Sequence, residues 1–241
     1  MWEPLRSELG SDVELITPDF RGSGGAALGS VAPSLDVLAD DVARLLDSRG
    51  VERAIIGGLS MGGYVTMAFL RRHAERAAAI VLADTKASAD AEPAQANRLR
   101  IASVLEAEGS VRVLVDEVLP TLTGETTKND RADVGRFVTQ LVEAISPATA
   151  AWCERAMAAR PDSFSTLKQA RIPALVVVGE EDALVSAAET RLMLDALADG
   201  QLVRLPKAGH LSAIETPSRF GAAVLQFVSE LGFARASPAD G

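Results

Sequence analysis

A short apolar run that leads straight into a glycine-rich turn is the feature that most constrains this chain. Residues 54–63 read Ala-Ile-Ile-Gly-Gly-Leu-Ser-Met-Gly-Gly. The run predicts a short buried strand, and the residues from Met61 onward predict a helix. The pattern Gly-x-Ser-x-Gly between them is typical of a strained strand-to-helix turn that projects a serine hydroxyl, here that of Ser60, from the edge of a sheet. We expect glycine to be favoured at Gly58 and Gly62, because side chains there would collide with the turn or the neighbouring strand.

Short apolar strands alternate with amphipathic helical patterns on both sides of this turn. Strands are predicted at 13–17, 52–57, 78–83, 174–178 and 201–205, and helices at 35–46, 61–72, 187–198 and 217–231, with the end of another helix at 2–9. Ser34 is expected to cap the helix at 35–46, and Gly50 to stop it. The alternation predicts an α/β fold: a mostly parallel sheet flanked by helices.

The alternation is interrupted by about eighty residues without a convincing strand. Helical patterns follow one another there at 93–108, 110–119, 131–145 and 147–159. We therefore predict that residues 1–85 and 166–241 form one α/β core and that residues 86–165 form an inserted all-helical unit. The small-residue tail from 233 to 241 is expected to fray.

Composition excludes several classes of protein. The 241 residues are 48% hydrophobic, enough for a substantial core, and the net charge of −9 argues against binding nucleic acid or an anionic membrane surface. The single Cys153 excludes an intramolecular disulfide and a cysteine-rich zinc site, and with only two histidines a metal cluster is not expected. No apolar stretch approaches the roughly 20 residues of a membrane span, and no signal peptide is visible, so a cytoplasmic location is predicted. The oligomeric state cannot be inferred from composition.

A serine nucleophile needs a base to take its proton and an acid to orient that base. His210 follows the last predicted strand, and Asp182 follows the strand at 174–178. The other histidine, His73, falls at the far end of the helix after the turn and is expected to be a solvated helix-end residue. The chain order serine, aspartate, histidine differs from the orders in chymotrypsin and subtilisin. Ser60, Asp182 and His210 are therefore the candidate catalytic residues.

Each candidate also has a structural interpretation. Ser60 could be a small residue in a turn, His210 a loop residue that caps a carbonyl, and Asp182 a helix N-cap. Asp84, which follows the strand after the turn, is an alternative acid. Glu215 precedes a proline near a helix start and is expected to be structural.

Four motifs together resemble the α/β-hydrolase superfamily over nearly the whole chain. They are Pro-Asp-Phe-Arg-Gly-Ser-Gly at 18–24, Gly-Leu-Ser-Met-Gly-Gly at 58–63, Gly-Glu-Glu-Asp at 179–182 and Ala-Gly-His at 208–210. The turn and the sequence Gly-His-Leu-Ser-Ala-Ile-Glu-Thr-Pro at 209–217 are similar to the branch of 3-oxoadipate enol-lactonases and small-ester hydrolases. The resemblance implies that residues 86–165 are a helical cap over the site and that no cofactor is needed.

The resemblance also implies strands and a loop that would precede Met1 and that the given sequence does not include. The superfamily has two or three strands there and a His-Gly loop that supplies one of two oxyanion N–H donors; the other donor is the residue after the nucleophile, here Met61. We expect the sequence to begin at an internal methionine of a longer gene product. Without the loop, about 3–4 kcal/mol of transition-state stabilisation would be lost.

The expected function is that of a cofactor-free serine hydrolase of small or medium carboxylic esters or lactones, acting through an acyl-enzyme. Enol-lactone hydrolysis, perhydrolysis and carbon–carbon bond hydrolysis fit the same residues. A non-catalytic ligand-binding protein that retains the fold is the alternative of another class. A third possibility is a fragment that does not fold alone, for which an exposed apolar sheet face and aggregation would be expected.

Overall fold

The computed structural model describes residues 1–10 and 13–232. Its strands are β1 (Ala54–Leu59), β2 (Ala77–Ala83), β3 (Pro173–Gly179) and β4 (Asp199–Leu205). Its α-helices are α1 (Glu3–Leu9), α2 (Leu35–Ser48), α3 (Met61–His73), α4 (Glu92–Glu108), α5 (Glu125–Asp130), α6 (Ala132–Glu143), α7 (Pro147–Ala158), α8 (Phe164–Ala170), α9 (Ala187–Ala196), α10 (Ser212–Glu215) and α11 (Pro217–Glu230). Short 3₁₀ turns lie at Ala74–Arg76 and Leu119–Thr121, and a π-helical turn at Leu114–Val118.

The four strands form one parallel sheet in the order β1-β2-β3-β4. Parallel neighbours need crossover connections, and helices or helical segments supply each of them. The predicted parallel sheet flanked by helices is therefore confirmed. Its carboxyl ends all lie at one edge, where open α/β sheets place their ligand sites.

The two faces of the sheet bury different side chains, as strand alternation requires. On one face, Ile80 and Leu82 of β2 pack with α2, α3, α8 and α9. On the other face, Ala79 and Val81 pack with α1 and α11. The core is therefore two apolar layers separated by the sheet.

The helices between β2 and β3 also bury apolar side chains against one another. Ile101 and Leu105 of α4, Val142 of α6 and Ala150 of α7 share a cluster that is separate from both faces of the sheet. Helix α8 differs, since its Leu167 packs into the sheet core.

Three sequence predictions need comment. The strand predicted at 13–17 is wrong: no strand of the described residues pairs with it, and side-chain bonds from Arg6 to the Leu15 carbonyl and the Thr17 hydroxyl hold it against α1. The helix predicted at 110–119 is a π-helical turn followed by a 3₁₀ turn that contains Pro120, which cannot continue a helical hydrogen-bond ladder. The tail predicted to fray at 233–241 lies outside the described residues.

The turn between β1 and α3 holds Ser60 in a conformation that is rare outside glycine. Its φ is 53° and its ψ is −113°. Its N–H donates to the Ala83 carbonyl at 2.9 Å, and its own carbonyl accepts from the Thr85 hydroxyl at 2.9 Å. A strained backbone persists only where its surroundings determine it, and here the end of β2 does so.

The glycines of the turn have unequal roles. A Cβ on Gly58 would lie 2.1 Å from the Gly62 carbonyl carbon, so a side chain there is excluded. The matching expectation for Gly62 is wrong, because a Cβ at that position would meet nothing within 4 Å. Instead Gly63 is constrained, since its Cβ would lie 2.5 Å from Cγ2 of the buried Thr85.

Gly58→Ala and Gly62→Ala form a matched pair that tests this difference. Gly58→Ala should lower the free energy of unfolding by about 1–3 kcal/mol or more, because backbone atoms cannot move aside easily. Gly62→Ala should leave it unchanged or raise it by up to about 1 kcal/mol, because alanine favours the helix. Urea unfolding of both variants measures the difference, and equal losses would contradict the assignment.

Candidate active site

Three of the predicted site residues lie at the same edge of the sheet. Ser60 directly follows β1, Asp182 follows β3 by three residues, and His210 lies in the loop after β4. Because the strands are parallel, their carboxyl ends bring residues from distant parts of the sequence together. Of these residues, His210 is only 4% exposed.

The imidazole of His210 contacts both of the other side chains. Its Nε2 lies 2.7 Å from the Ser60 hydroxyl oxygen, and its Nδ1 lies 3.0 Å from Oδ2 of Asp182. Both distances are those of hydrogen bonds. With Nδ1 protonated, Nδ1 donates to the carboxylate and Nε2 is left to accept the serine proton. The arrangement can remove a proton from Ser60.

Asp182 is held by the backbone on its other side. Its Oδ1 accepts the N–H of Leu184 at 2.7 Å and that of Val185 at 3.2 Å. Its carboxylate is fully buried against His210. These bonds leave Oδ2 free for the imidazole and fix its direction.

Asp84, the alternative acid, is hydrogen-bonded to Gly179 and Ser212 and forms no hydrogen bond with the imidazole. Its Oδ1 accepts the N–H of Gly179 at 2.8 Å, and its Oδ2 is bonded to the hydroxyl of Ser212. It is 1% exposed, and burial raises its pKa from 3.8 to about 7. Its φ of 44° is another left-handed conformation, at the end of β2. Asp84, which directly follows β2, therefore hydrogen-bonds to the last residue of β3 and to Ser212, two positions after His210.

His73 lies far from the other site residues. It ends α3, about 20 Å from Ser60 at the helical rise of about 1.5 Å per residue. It is half-buried: its Nε2 lies 2.8 Å from Asp40, and its ring packs beside Phe69. The expectation of a solvated side chain is therefore wrong, because Asp40 and Phe69 cover it.

The backbone N–H of Met61 begins α3 directly after Ser60. The first N–H groups of a helix have no acceptor within it, and the helix dipole makes this end attractive to negative charge. The side chain of Met61 packs against the core, so the chain continues into the helix at a fixed angle. The Met61 N–H is therefore the candidate oxyanion donor on the residue after Ser60.

Sequence reasoning missed the part that Glu215 plays. This buried carboxylate accepts N–H bonds from Gly209 and Leu211, the two neighbours of His210, and two further bonds from the segment before α5 and the start of α5. The available signal is the spacing from His210 to a glutamate that precedes Thr-Pro, a pattern that by itself predicts only a helix start.

The described residues contain no candidate metal site and no candidate membrane span. Across 1–10 and 13–232, no group of three or more His, Cys, Asp or Glu side chains could hold a metal ion. In the same ranges, every helix is too short or too polar to cross a bilayer.

Comparison with known proteins identifies relatives along most of the chain. A thermophilic esterase from Thermogutta terrifontis, solved with malate bound, is 33% identical with a TM-score of 0.90, over 95% of this chain and 85% of that chain. The enol-lactonase from Burkholderia xenovorans LB400 is 27% identical with a TM-score of 0.85, over the same shares. The 3-oxoadipate enol-lactonase 1 of Acinetobacter baylyi is 29% identical over 225 residues, 91% of this chain and 80% of that protein.

A family profile gives the same assignment independently of any one relative. The profile described as the alpha/beta hydrolase family matches residues 1–223. The match includes the turn at Ser60, the parallel sheet and the His210 loop. The chain belongs to the alpha/beta hydrolase family.

Proposed function

We propose that the chain is a serine hydrolase that cleaves a small or medium carboxylic ester or lactone without a cofactor. The observation that carries this proposal is the continuous contact from Ser60 through His210 to Asp182, at 2.7 Å and 3.0 Å. A nucleophile, a base within hydrogen-bond reach and an acid that orients the base are what acyl transfer requires.

In the first half of the reaction, Ser60 attacks the substrate carbonyl. His210 Nε2 takes the serine proton, and Asp182 stabilises the imidazolium that results. Negative charge develops on the carbonyl oxygen, and the Met61 N–H at the helix N-terminus binds it. As the tetrahedral intermediate collapses, His210 returns the proton to the leaving alcohol and an acyl-enzyme remains.

In the second half, water replaces the alcohol. His210 takes a proton from the water, whose oxygen attacks the acyl carbonyl. The Met61 N–H again binds the oxyanion. Collapse releases the carboxylic acid and returns the proton to Ser60. For a lactone the leaving alcohol stays attached to the acyl group, so one ring-opened product is released.

We propose further that residues 86–165 are a cap over this site. Helix α7 is fixed to the loop before α2 by Trp152, whose indole N–H donates to the Val31 carbonyl at 2.9 Å, and by Thr149, whose hydroxyl donates to the Gly22 carbonyl at 2.9 Å. The segment before α5 contacts the loops that carry the acid and the base. A cap in this position would exclude water and select substrates.

The named activities of the three proteins compared above favour two substrate classes. One of the three is an esterase and two are enol-lactonases. Esters and enol-lactones undergo the same attack at a carbonyl carbon, so these residues suit both. A ligand-binding protein without catalysis is disfavoured, because binding alone does not require serine, imidazole and carboxylate in contact.

Reaction with a fluorophosphonate tests the nucleophile directly. The wild-type chain should gain the mass of one reagent adduct, because an activated serine attacks phosphorus, and Ser60→Ala should gain none. Turnover of p-nitrophenyl esters should fall by about 10⁵-fold or more in Ser60→Ala. Intact mass and absorbance measure the two effects, and Ser23→Ala, a serine in the loop before α2, serves as the matched control.

A folded wild-type chain that takes up no reagent would contradict the proposed chemistry. A single cooperative melt establishes that the chain is folded. Rates with a purified enol-lactone beside p-nitrophenyl esters then separate the two substrate classes.

Asp182→Asn and Asp84→Asn test which carboxylate serves the base. Asp182→Asn should lower kcat on the order of 10⁴-fold, because an amide cannot stabilise the imidazolium or fix the tautomer. Asp84→Asn should leave kcat within about tenfold, because Asp84 forms no hydrogen bond with His210 and an amide can bond to both partners, accepting from the Gly179 N–H and donating to the Ser212 hydroxyl oxygen. Steady-state kinetics decide, and the reverse ranking would assign the acid to Asp84.

Stability against pH tests the state of Asp84. Its pKa is raised from 3.8 to about 7 in the folded chain, so between these values unfolding releases a proton. Rising pH therefore lowers the free energy of unfolding from about pH 4 to pH 7, and the loss is complete above about pH 7. The amide in Asp84→Asn does not titrate, so the free energy of unfolding of this variant should rise relative to that of the wild type as the pH increases from 4 to 7. Urea unfolding from pH 4 to 8 measures it; a constant difference would contradict the raised pKa.

A further inference from the structure

One buried carboxylate connects the loop of the candidate base to the helical insertion. Glu215 is 4% exposed, and its two oxygens have different partners. Oε1 accepts the N–H of Gly209 at 2.9 Å and of Leu211 at 3.2 Å. Oε2 accepts the N–H of Gly124 at 2.9 Å and the hydroxyl of Thr127 at 2.6 Å. Each oxygen therefore accepts hydrogen bonds from one side only: Oε1 from the loop around His210, and Oε2 from the helical insertion.

On the loop side, Oε1 accepts hydrogen bonds on both sides of His210. The donors, the N–H groups of Gly209 and Leu211, belong to its two neighbours in the chain, so the backbone is held before and after His210. The Leu211 N–H is also 3.1 Å from the Leu122 carbonyl, which belongs to the insertion. The backbone from which the imidazole projects is thus held by Glu215 and by the insertion together.

On the insertion side, the segment Gly124–Thr127 lies against the same loop. A Cβ on Gly209 would lie 2.2 Å from the Gly124 nitrogen, so the two backbones touch there. Thr126 is bound by a second carboxylate, Glu181, which accepts its N–H at 2.7 Å and its hydroxyl at 2.5 Å. Glu181 immediately precedes Asp182. The segment therefore contacts the loops of both proposed partners of Ser60.

Burial of the Glu215 carboxylate costs free energy unless both of its oxygens are hydrogen-bonded. A buried carboxylate must be compensated, and among the described residues no Lys or Arg forms an ion pair with the side chain of Glu215. Four hydrogen-bond donors compensate it instead, two from each side. If either side moves, one oxygen loses its partners in a buried setting. The two sides are therefore stable only when both are in place.

We propose that Glu215 is a positioning residue that couples the seating of segment Gly124–Thr127 to the orientation of His210. The proposal rests on the proposed function, in which His210 is the base. It assigns the insertion a part in placing the imidazole as well as in covering the substrate.

Glu215→Gln tests the positioning. An amide has one acceptor oxygen, so it can satisfy one side only and presents N–H groups to donors on the other. We expect kcat for a p-nitrophenyl ester to fall by about 10- to 100-fold, the loss that a displacement of about 1 Å can cause, with a smaller change in KM. Glu154→Gln is the matched control: Glu154 is another buried glutamate, bonded to Arg98, and its variant should lose stability without losing kcat.

Thr127→Val tests the coupling, because it removes one donor to Oε2 and leaves both donors to Oε1 in the chain. The chain has only two histidines, so the imidazole C2 protons give two NMR lines, which His73→Gln assigns. We expect the His210 line to shift in Thr127→Val and the His73 line to stay. Thermal melts confirm that each variant is folded, and Thr127→Val decides the question if Glu215→Gln does not fold.

The outcomes separate this proposal from the catalytic one. A His210 line that is unmoved in folded Thr127→Val, with kcat unchanged, would overturn the coupling even if the wild type is an efficient esterase. A shifted His210 line in a chain that ignores the fluorophosphonate would support the coupling and refute the proposed chemistry.

Discussion

The left-handed backbone at Ser60 is the constraint on which the rest of the site depends. It turns the chain from β1 into α3 within one residue. The end of β2 maintains it, through the Ala83 carbonyl and the Thr85 hydroxyl. The turn therefore needs β2 in register beside β1, and it needs glycine at Gly58 where the backbone of α3 passes. The sheet therefore determines the geometry of the proposed nucleophile.

Three buried carboxylates lie around His210, and each is compensated differently. Asp182 is bound to the imidazole and to two backbone N–H groups. Asp84 has a pKa of about 7 because burial disfavours its charged form. Glu215 is bound by four donors and touches the loop rather than the ring. Of the three, only Asp182 is hydrogen-bonded to the imidazole, which supports the proposal that it alone stabilises the imidazolium.

The sequence predicted the parts of the fold that local pattern determines. Strands β1 to β4 and helix α3 can be predicted from apolar runs and periodicity. The contacts of His210 can be predicted because the carboxyl ends of parallel strands meet at one edge of the sheet. Contacts between distant segments were not accessible. The strand expected at 13–17 has no partner among the described residues, and the collision expected at Gly62 falls on Gly63 because Thr85 packs there. Local pattern places Glu215 near a helix start, and its contacts with Gly124 and Thr127 cannot be predicted because those residues are about ninety positions away.

The position of the proposed base is a tertiary property. The loop after β4 forms no strand pairing of its own among the described residues, so its sequence alone does not fix the direction of the His210 imidazole. Here that direction depends on Glu215 and on the Leu122 carbonyl, and hence on residues of the insertion. Ser60 is different, since its conformation is set by the adjacent strand. A change at Leu122 or in the segment Gly124–Thr127 should therefore disturb the proposed base before the proposed nucleophile, and kcat should be more sensitive to it than the fold.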